Sequence, residues 1–172
     1  MAVKTILTEP NKILRQVSLP VEKIGKEEQV LMDDMLETMY MAKGIGLAAI
    51  QVGVPKRIIV MDIGNRDKDK EPMYFVNPII KNKNSDYSTY EEGCLSVPNQ
   101  FAEIDRPRKC DVEYLDYDGE KKILKAEGLL ATCIQHEMDH LEGILFIDYL
   151  SKLKKTMILK KLSKNKSTRI VV

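Results

Sequence analysis

Long apolar runs are missing from this chain: nothing approaches the ~18 consecutive apolar residues of a membrane-spanning helix, so no membrane association is expected. The opening MAVKTILTEP carries Lys4 with no apolar stretch behind it, and no secretory signal is expected. Cysteine is scarce and odd in number. Cys94, Cys110 and Cys133 lack the spacing of a small disulfide-stapled scaffold, which points to a reducing compartment, the cytoplasm, and to thiols used as thiols. No internal repeat or low-complexity segment is present. Histidine is rarer still, with two in the whole chain.

What is there suffices for one globular domain with a sizeable core: 172 residues, 44% hydrophobic and 31% charged. The net charge of +1 is unevenly spread. Residues 151–172 hold eight Lys/Arg and no Asp/Glu, which leaves 19 basic against 26 acidic residues in 1–150. An acidic body thus carries a basic tail, and the expected division is a main domain over 1–150 and a tail over 151–172.

KEEQVLMDDMLETMYMAKG (26–44) reads as a helix, with Leu31, Met35, Met39 and Ala42 on one apolar stripe and Gly44 placed to end it. RIIVMDIG (57–64) and MYFVNPII (73–80) read as strands separated by the charged loop NRDKDKEP. KCDVEYLDYDGEKKILKAEG (109–128) reads as a hairpin: Cys110, Val112 and Tyr114 alternate with charged residues, and Asp118-Gly119 suggests a type I′ turn. LLATCIQHEMDHLEG (129–143) reads as a second helix closed by Gly143. Strands between an early and a late helix predict an α+β fold with mostly antiparallel pairing.

Both histidines fall in that second helix, in QHEMDH (135–140). His136 and His140 are one turn apart, so their imidazoles leave the same face and can share an ion. Glu137 lies about 100° round the helix. It is badly placed as a third ligand but can reach a water on such an ion, the general-base place in an H-E-x-x-H motif. A catalytic zinc or iron normally takes a third protein ligand. The metzincin extension fails because its closing position is Phe146, and the acids beyond His140, Glu142 and Asp148, lie too close. The ligand has to come from upstream, and a thiolate binds zinc or iron(II) well. Cys110 alternates into the apolar face of a strand. Cys133 is separated from His140 by about 10 Å of helix, too far to share an ion, and is better placed to line a pocket. Cys94 remains, in EEGCLSVP, where Gly93 permits close backbone approach and Pro98 stiffens the chain beyond it. One sulfur, two imidazoles and a fourth position for water make an open, catalytic arrangement.

GIGLAAIQ (44–51), EGCLS (92–96) and QHEMDH (135–140), in this order and spacing, resemble the three signature motifs of peptide deformylases, and ILTEPNKILRQVS (6–18) is similar to that family's N-terminal segment. The resemblance covers nearly the whole chain. It implies an α+β fold with antiparallel β-sheets around a central metal-binding HExxH helix, a C-terminal helix, and removal of the formyl group from N-formylmethionyl nascent peptides. It implies that Cys94, His136 and His140 hold one divalent metal, Fe(II) in the native protein with Zn, Ni or Co tolerated, and that Glu137 is the general acid/base. The Gln51 amide and the Leu95 backbone N–H would form an oxyanion hole, and the backbone around Gly46 would hold the substrate in a strand-like pose. Read alone, Gly44-Ile45-Gly46 is a helix stop and a small-residue turn. Ile45, Leu129, Thr132 and Cys133 resemble the apolar pocket for the methionine side chain. Asp139 points away from the metal-bearing face and needs a partner; the resemblance suggests Arg106, with Arg108 as the alternative. Phe101 departs from the family, in which many bacterial members carry an arginine seven residues past the cysteine.

In the tail, SKLKKTMILKKLSKNKSTRIVV, the spacing of Leu150, Leu153 and Met157 predicts an amphipathic helix packing that side on the domain or a partner, with Lys152 and Lys155 exposed. By resemblance the tail would dock on the ribosome, with affinity falling steeply with salt and no sequence-specific nucleic-acid binding. Two other readings compete. A zinc peptidase for ordinary peptides is disfavoured by the cysteine ligand. A non-enzymatic, metal-stabilised ribosome or nucleic-acid binder is disfavoured by Glu137, since a structural site needs no base.

Overall fold

The computed structural model describes residues 1–64 and 68–171, with side chains through residue 164. Part of the charged loop NRDKDKEP, residues 65–67, therefore lies outside the described residues. Helix α1 (Lys26–Met41) leads into strands β1 (Gly46–Ala48), β2 (Ile58–Met61) and β3 (Met73–Lys83). Strands β4 (Tyr87–Cys94), β5 (Val97–Pro107), β6 (Lys109–Leu115) and β7 (Lys121–Glu127) come next, then helices α2 (Leu129–Leu141) and α3 (Lys152–Val171). One antiparallel sheet has the order β1-β2-β3-β6-β7, and β4–β5 form a separate two-stranded ribbon.

The run Ile58-Ile59-Val60-Met61 is apolar throughout because both faces of β2 are covered. Ile59 and Met61 join Phe75 and Val112 in a core with Ala131, Ile134 and Leu141 of α2. Ile58 and Val60 join Val76 in a second core with Leu31, Met32, Met35 and Met39 of α1. Alternate side chains of one strand thus go to opposite helices. The ribbon is joined to α2 differently: Glu92, Cys94 and Arg106 all reach residues of that helix through polar contacts. This is the arrangement that places the site.

Three local readings are corrected. Helix α1 ends one residue earlier than Gly44 suggests. Ala42 caps it and Lys43 takes the left-handed conformation (φ 59°), while the Gly44 N–H reaches back to the Met39 carbonyl at 2.9 Å. Gly44-Ile45-Gly46 is likewise no turn but the lead into β1. The β6–β7 connection is not a two-residue type I′ turn. Asp116 accepts the amides of Asp118 and Glu120 through its side chain, and only Gly119 has a positive φ, 87°. That geometry belongs to a longer loop with one left-handed glycine. Helix α2, by contrast, closes as expected, with Gly143 left-handed (φ 73°) and the Ile144 N–H bonded to the Asp139 carbonyl at 3.0 Å.

The tail is helical, but its buried side is not the one anticipated. Leu153 and Met157 are exposed, whereas Ile158 and Leu162 are buried with Val97, Ile104, Leu145, Phe146 and Ile147. The reason is that Leu150 is extended (ψ 160°) and does not share the helix's phase. The helix starts only at Lys152, so a stripe counted from Leu150 is rotated off the packed face. No helix among the described residues is long and apolar enough to cross a membrane.

Candidate metal centre

Helix α2 turns His136 and His140 to one side, their rings 5.2 Å apart and near-perpendicular. Cys94 arrives from the end of β4, where Leu95 and Ser96 turn the ribbon into β5. The Cys94 sulfur and the ring nitrogens of His136 and His140 lie within 4.8 Å of one another. Cys94 Sγ is 3.4 Å from His140 Nε2, and the Ser96 N–H and the Gln51 amide approach the same sulfur at 3.4 and 3.6 Å.

One ligand is held by a chain of charges. His136 Nδ1 lies 2.8 Å from Glu92 Oε1, which directs Nε2 away from the carboxylate. Arg106 grips Glu92 with two bonds, Nε to Oε2 at 2.7 Å and Nη2 to Oε1 at 3.0 Å, and donates from Nη1 to Asp139 Oδ2 at 2.8 Å. The Tyr149 hydroxyl donates to the same Asp139 oxygen at 2.7 Å, and Arg106 lies over the Tyr149 ring. Burial alone would raise the Glu92 carboxyl, but the bonds from His136 and Arg106 outweigh it and keep Glu92 below its ordinary range. Asp139 is half-buried; the fully buried member of its pair is Arg106.

Glu137 is 4% exposed, and its Oε2 meets no protein partner among the described residues. Burial pushes its carboxyl up to about 7, so the group can take and return a proton near neutrality. A cation on the neighbouring ligands acts in the opposite sense. One soft sulfur and two imidazoles with an unpartnered carboxylate beside them suit an open site for a borderline divalent ion such as Zn²⁺ or Fe²⁺.

The family model for polypeptide deformylase matches residues 3–156. The peptide deformylase of Pelagibacter ubique is 76% identical over 172 residues, 100% of each chain. That of Phenylobacterium zucineum is 58% identical over 165 residues, 96% of this chain and 98% of its own. Among solved structures, the Ehrlichia chaffeensis peptide deformylase in complex with actinonin superposes with a TM-score of 0.92 at 44% identity, covering 96% of this chain and 98% of that one.

The chain belongs to the peptide deformylase family.

The family motifs converge through their glycines. A Cβ on Gly44 would stand 2.6 Å from Leu95 Cδ1, and one on Gly46 would stand 2.5 Å from Glu137 Oε1 and 2.9 Å from its Cγ. The first motif is therefore the surface on which the second and third close, something no local pattern shows. Gly46→Ala is expected to displace the Glu137 carboxylate and to lower kcat by about tenfold or more while metal content stays at the wild-type level. Steady-state kinetics and metal analysis on one preparation check both halves.

The cleft beside the three ligands has a volume of about 540 Å³ and is lined by Ile45, Gly46, Gln51, Leu129, Thr132 and Cys133, among others. Gln51 is buried. Its Oε1 accepts the Ala48 N–H at 2.9 Å, and its amide donates to Ser96 Oγ at 3.0 Å, which aims the nitrogen at Cys94. Burial and nearby Glu137 push the Cys133 thiol well above its ordinary range, so it is a neutral, apolar lining group. Thr132 is buried and Leu129 sits at the mouth, 44% exposed. Sequence reading missed Ser96, which positions Gln51, and Tyr149, which completes the Asp139 pair. It also missed that Glu92 fixes His136; the only available signal was an acid two residues before the cysteine.

Proposed function

We propose that this chain removes the formyl group from the N-terminal formylmethionine of nascent polypeptides, hydrolysing the formamide to formate and a free amine. The observation that carries this is the convergence of Cys94, His136 and His140 beside the buried, unpartnered carboxylate of Glu137. Cys94, His136 and His140 would hold a divalent ion, which would supply Lewis acidity towards water and the formyl carbonyl. Fe(II) is the native ion in this reading, and Zn, Ni or Co can replace it.

Glu137 takes the proton of the attacking water and returns it to the departing amine. The Gln51 amide and the Leu95 N–H donate to the formyl oxygen as charge builds on it. Gly46 holds the peptide backbone, while Ile45, Leu129, Thr132 and Cys133 surround the methionine side chain. Arg106 acts from one layer out by holding Glu92 on His136 and Asp139 on α2. Formate release from formyl-Met-Ala-Ser, with acetyl-Met-Ala-Ser as control, tests the reading. Release from the formyl peptide alone supports it; cleavage of internal peptide bonds, or no formate, sinks it.

In the same reading the enzyme is cytoplasmic, residues 1–150 form the catalytic metallohydrolase domain, and the basic C-terminal segment over 151–172 docks on ribosomal RNA phosphate. Deleting the tail is a poor test, because Ile158 and Leu162 cover Val97 and Phe146. Reversing the exposed Lys154, Lys160 and Lys161 to Glu leaves that packing alone. Co-sedimentation with ribosomes at low salt should then be lost, with turnover of a free formyl tripeptide unchanged. Equal sedimentation of variant and wild type would remove the tail from the account.

A further inference from the structure

Val17-Ser18-Leu19 belongs to the N-terminal segment, which the proposed chemistry leaves without a task, and its burial runs against its composition. Val17 is 58% exposed and Leu19 66%, whereas Ser18 between them is 2% exposed. Burial ordinarily favours the reverse, valine and leucine inside and serine outside. The serine is turned inward by its attachment to α2. The Ser18 N–H donates to the Leu141 carbonyl at 2.8 Å. Three residues earlier, Arg15 donates from Nη1 to the Gly143 carbonyl at 3.3 Å, and a Cβ on Gly143 would stand 2.4 Å from the Arg15 carbonyl oxygen. Residues 15–18 therefore lie along the last turn of α2, the turn that carries His140.

Of the two histidines of the site, only one is braced from behind. His136 Nδ1 has Glu92 Oε1 at 2.8 Å. His140 presents Nε2 to Cys94 Sγ at 3.4 Å, so its ring hydrogen sits on Nδ1 once Nε2 is given to an ion. That residue is 1% exposed, and its Nδ1 meets no hydrogen-bond partner among the described residues. A ligating histidine almost always donates this second N–H. Ser18 Oγ, whose own backbone is bonded at Leu141, is buried too and likewise meets no partner among the described residues.

Most buried polar groups are hydrogen-bonded, so two orphans on one turn of one helix point to each other. Their chemistry is complementary: the ring offers a hydrogen, and the hydroxyl oxygen has two lone pairs to accept it. A serine hydroxyl has three staggered positions to choose from, and one buried water making two hydrogen bonds bridges about 5.5 Å.

We propose that Ser18 is a positioning residue for the metal centre: its hydroxyl accepts the His140 Nδ1–H, directly or through one buried water, and fixes that ring as Glu92 fixes His136. The inference rests on the metal-centre reading above and adds the N-terminal segment as its second support. Ser18 itself touches neither substrate nor ion.

Ser18→Ala separates this role from plain packing. If the hydroxyl has no task, a methyl group in its place removes a buried unsatisfied polar atom and leaves metal binding as it was. If it holds His140, Zn²⁺ affinity falls by about tenfold, the lower end of the range for losing a ligand's hydrogen-bond partner. Zn²⁺ affinity of wild type and Ser18→Ala is measured in competition with a chelator, and the metal-free proteins are unfolded in denaturant as the structural control. Because the chain has two histidines, nitrogen-15 labelling of histidine gives one pair of ring nitrogens for each, and NMR of the zinc-loaded protein reads the His140 Nδ1–H directly. The expected result is Zn²⁺ binding weakened at least about threefold, a shifted or faster-exchanging His140 Nδ1–H, and metal-free stability at or above wild type. A smaller loss of affinity, an unchanged His140 Nδ1–H, or metal-free stability below wild type would each overturn the proposal. A wild type that takes up no Zn²⁺ would instead overturn the metal-centre reading itself.

Discussion

Replacing Glu137 with Gln is expected to cut turnover on formyl-Met-Ala-Ser by at least about 10²-fold while the ion stays bound, because a general base is lost and the three ligands remain. The substitution suits the site. Gln has nearly the same shape as Glu, so the tight approach of Gly46 to this side chain is preserved. What changes is proton capacity: the amide can neither take a proton from water nor return one to the amine. Metal analysis and kcat on one sample separate this from ligand loss. Activity within tenfold of wild type, with full metal, would remove Glu137 from its role.

The second large effect is structural and starts one layer out. Arg106 is buried and carries bonds to Glu92 and Asp139. Arg106→Ala takes the guanidinium from the buried Glu92 carboxylate, which keeps only its contact with His136, and breaking a buried ion pair costs roughly 3–5 kcal/mol. It also frees Glu92 to leave His136, and loosening a ligand's hydrogen-bond partner weakens metal binding by about 10–100-fold. Denaturant unfolding and metal titration should show both losses together. A cycle that adds Asp139→Asn should show coupling, because Asp139 and Arg106 share one bond. Wild-type stability in Arg106→Ala would show that the network is dispensable.

How far the sequence can be read depends on the range of each signal. The α+β order, the strand at 58–61 and the α2 helix with its glycine stop come from local periodicity and turn chemistry, which act over a few residues. His136 and His140 share a face for the same reason. The ribbon β4–β5 is different. Tyr87–Cys94 alternates exposed and half-buried residues with little apolar contrast, so nothing marks it as paired strands, although it carries Cys94 and Glu92 and faces Phe101. Gly44 and Gly46 look like turn residues until the side chains of Leu95 and Glu137 arrive beside them from other elements. The packed face of α3 escapes a helical count because one extended residue, Leu150, breaks its phase. Elimination among three cysteines reaches Cys94 only because the other two have local reasons to be elsewhere.

The central claim is that Cys94, His136 and His140 together hold one divalent ion and that this ion is required for formyl hydrolysis. The most direct measurement is anaerobic purification of wild type and Cys94→Ala, with metal stoichiometry, metal affinity and formate release determined on the same samples. The account predicts one divalent ion per wild-type chain, turnover proportional to metal content, and a Cys94→Ala variant that has lost at least about tenfold in metal affinity and nearly all turnover. A Cys94→Ala chain that keeps one ion at wild-type affinity and still releases formate would contradict it.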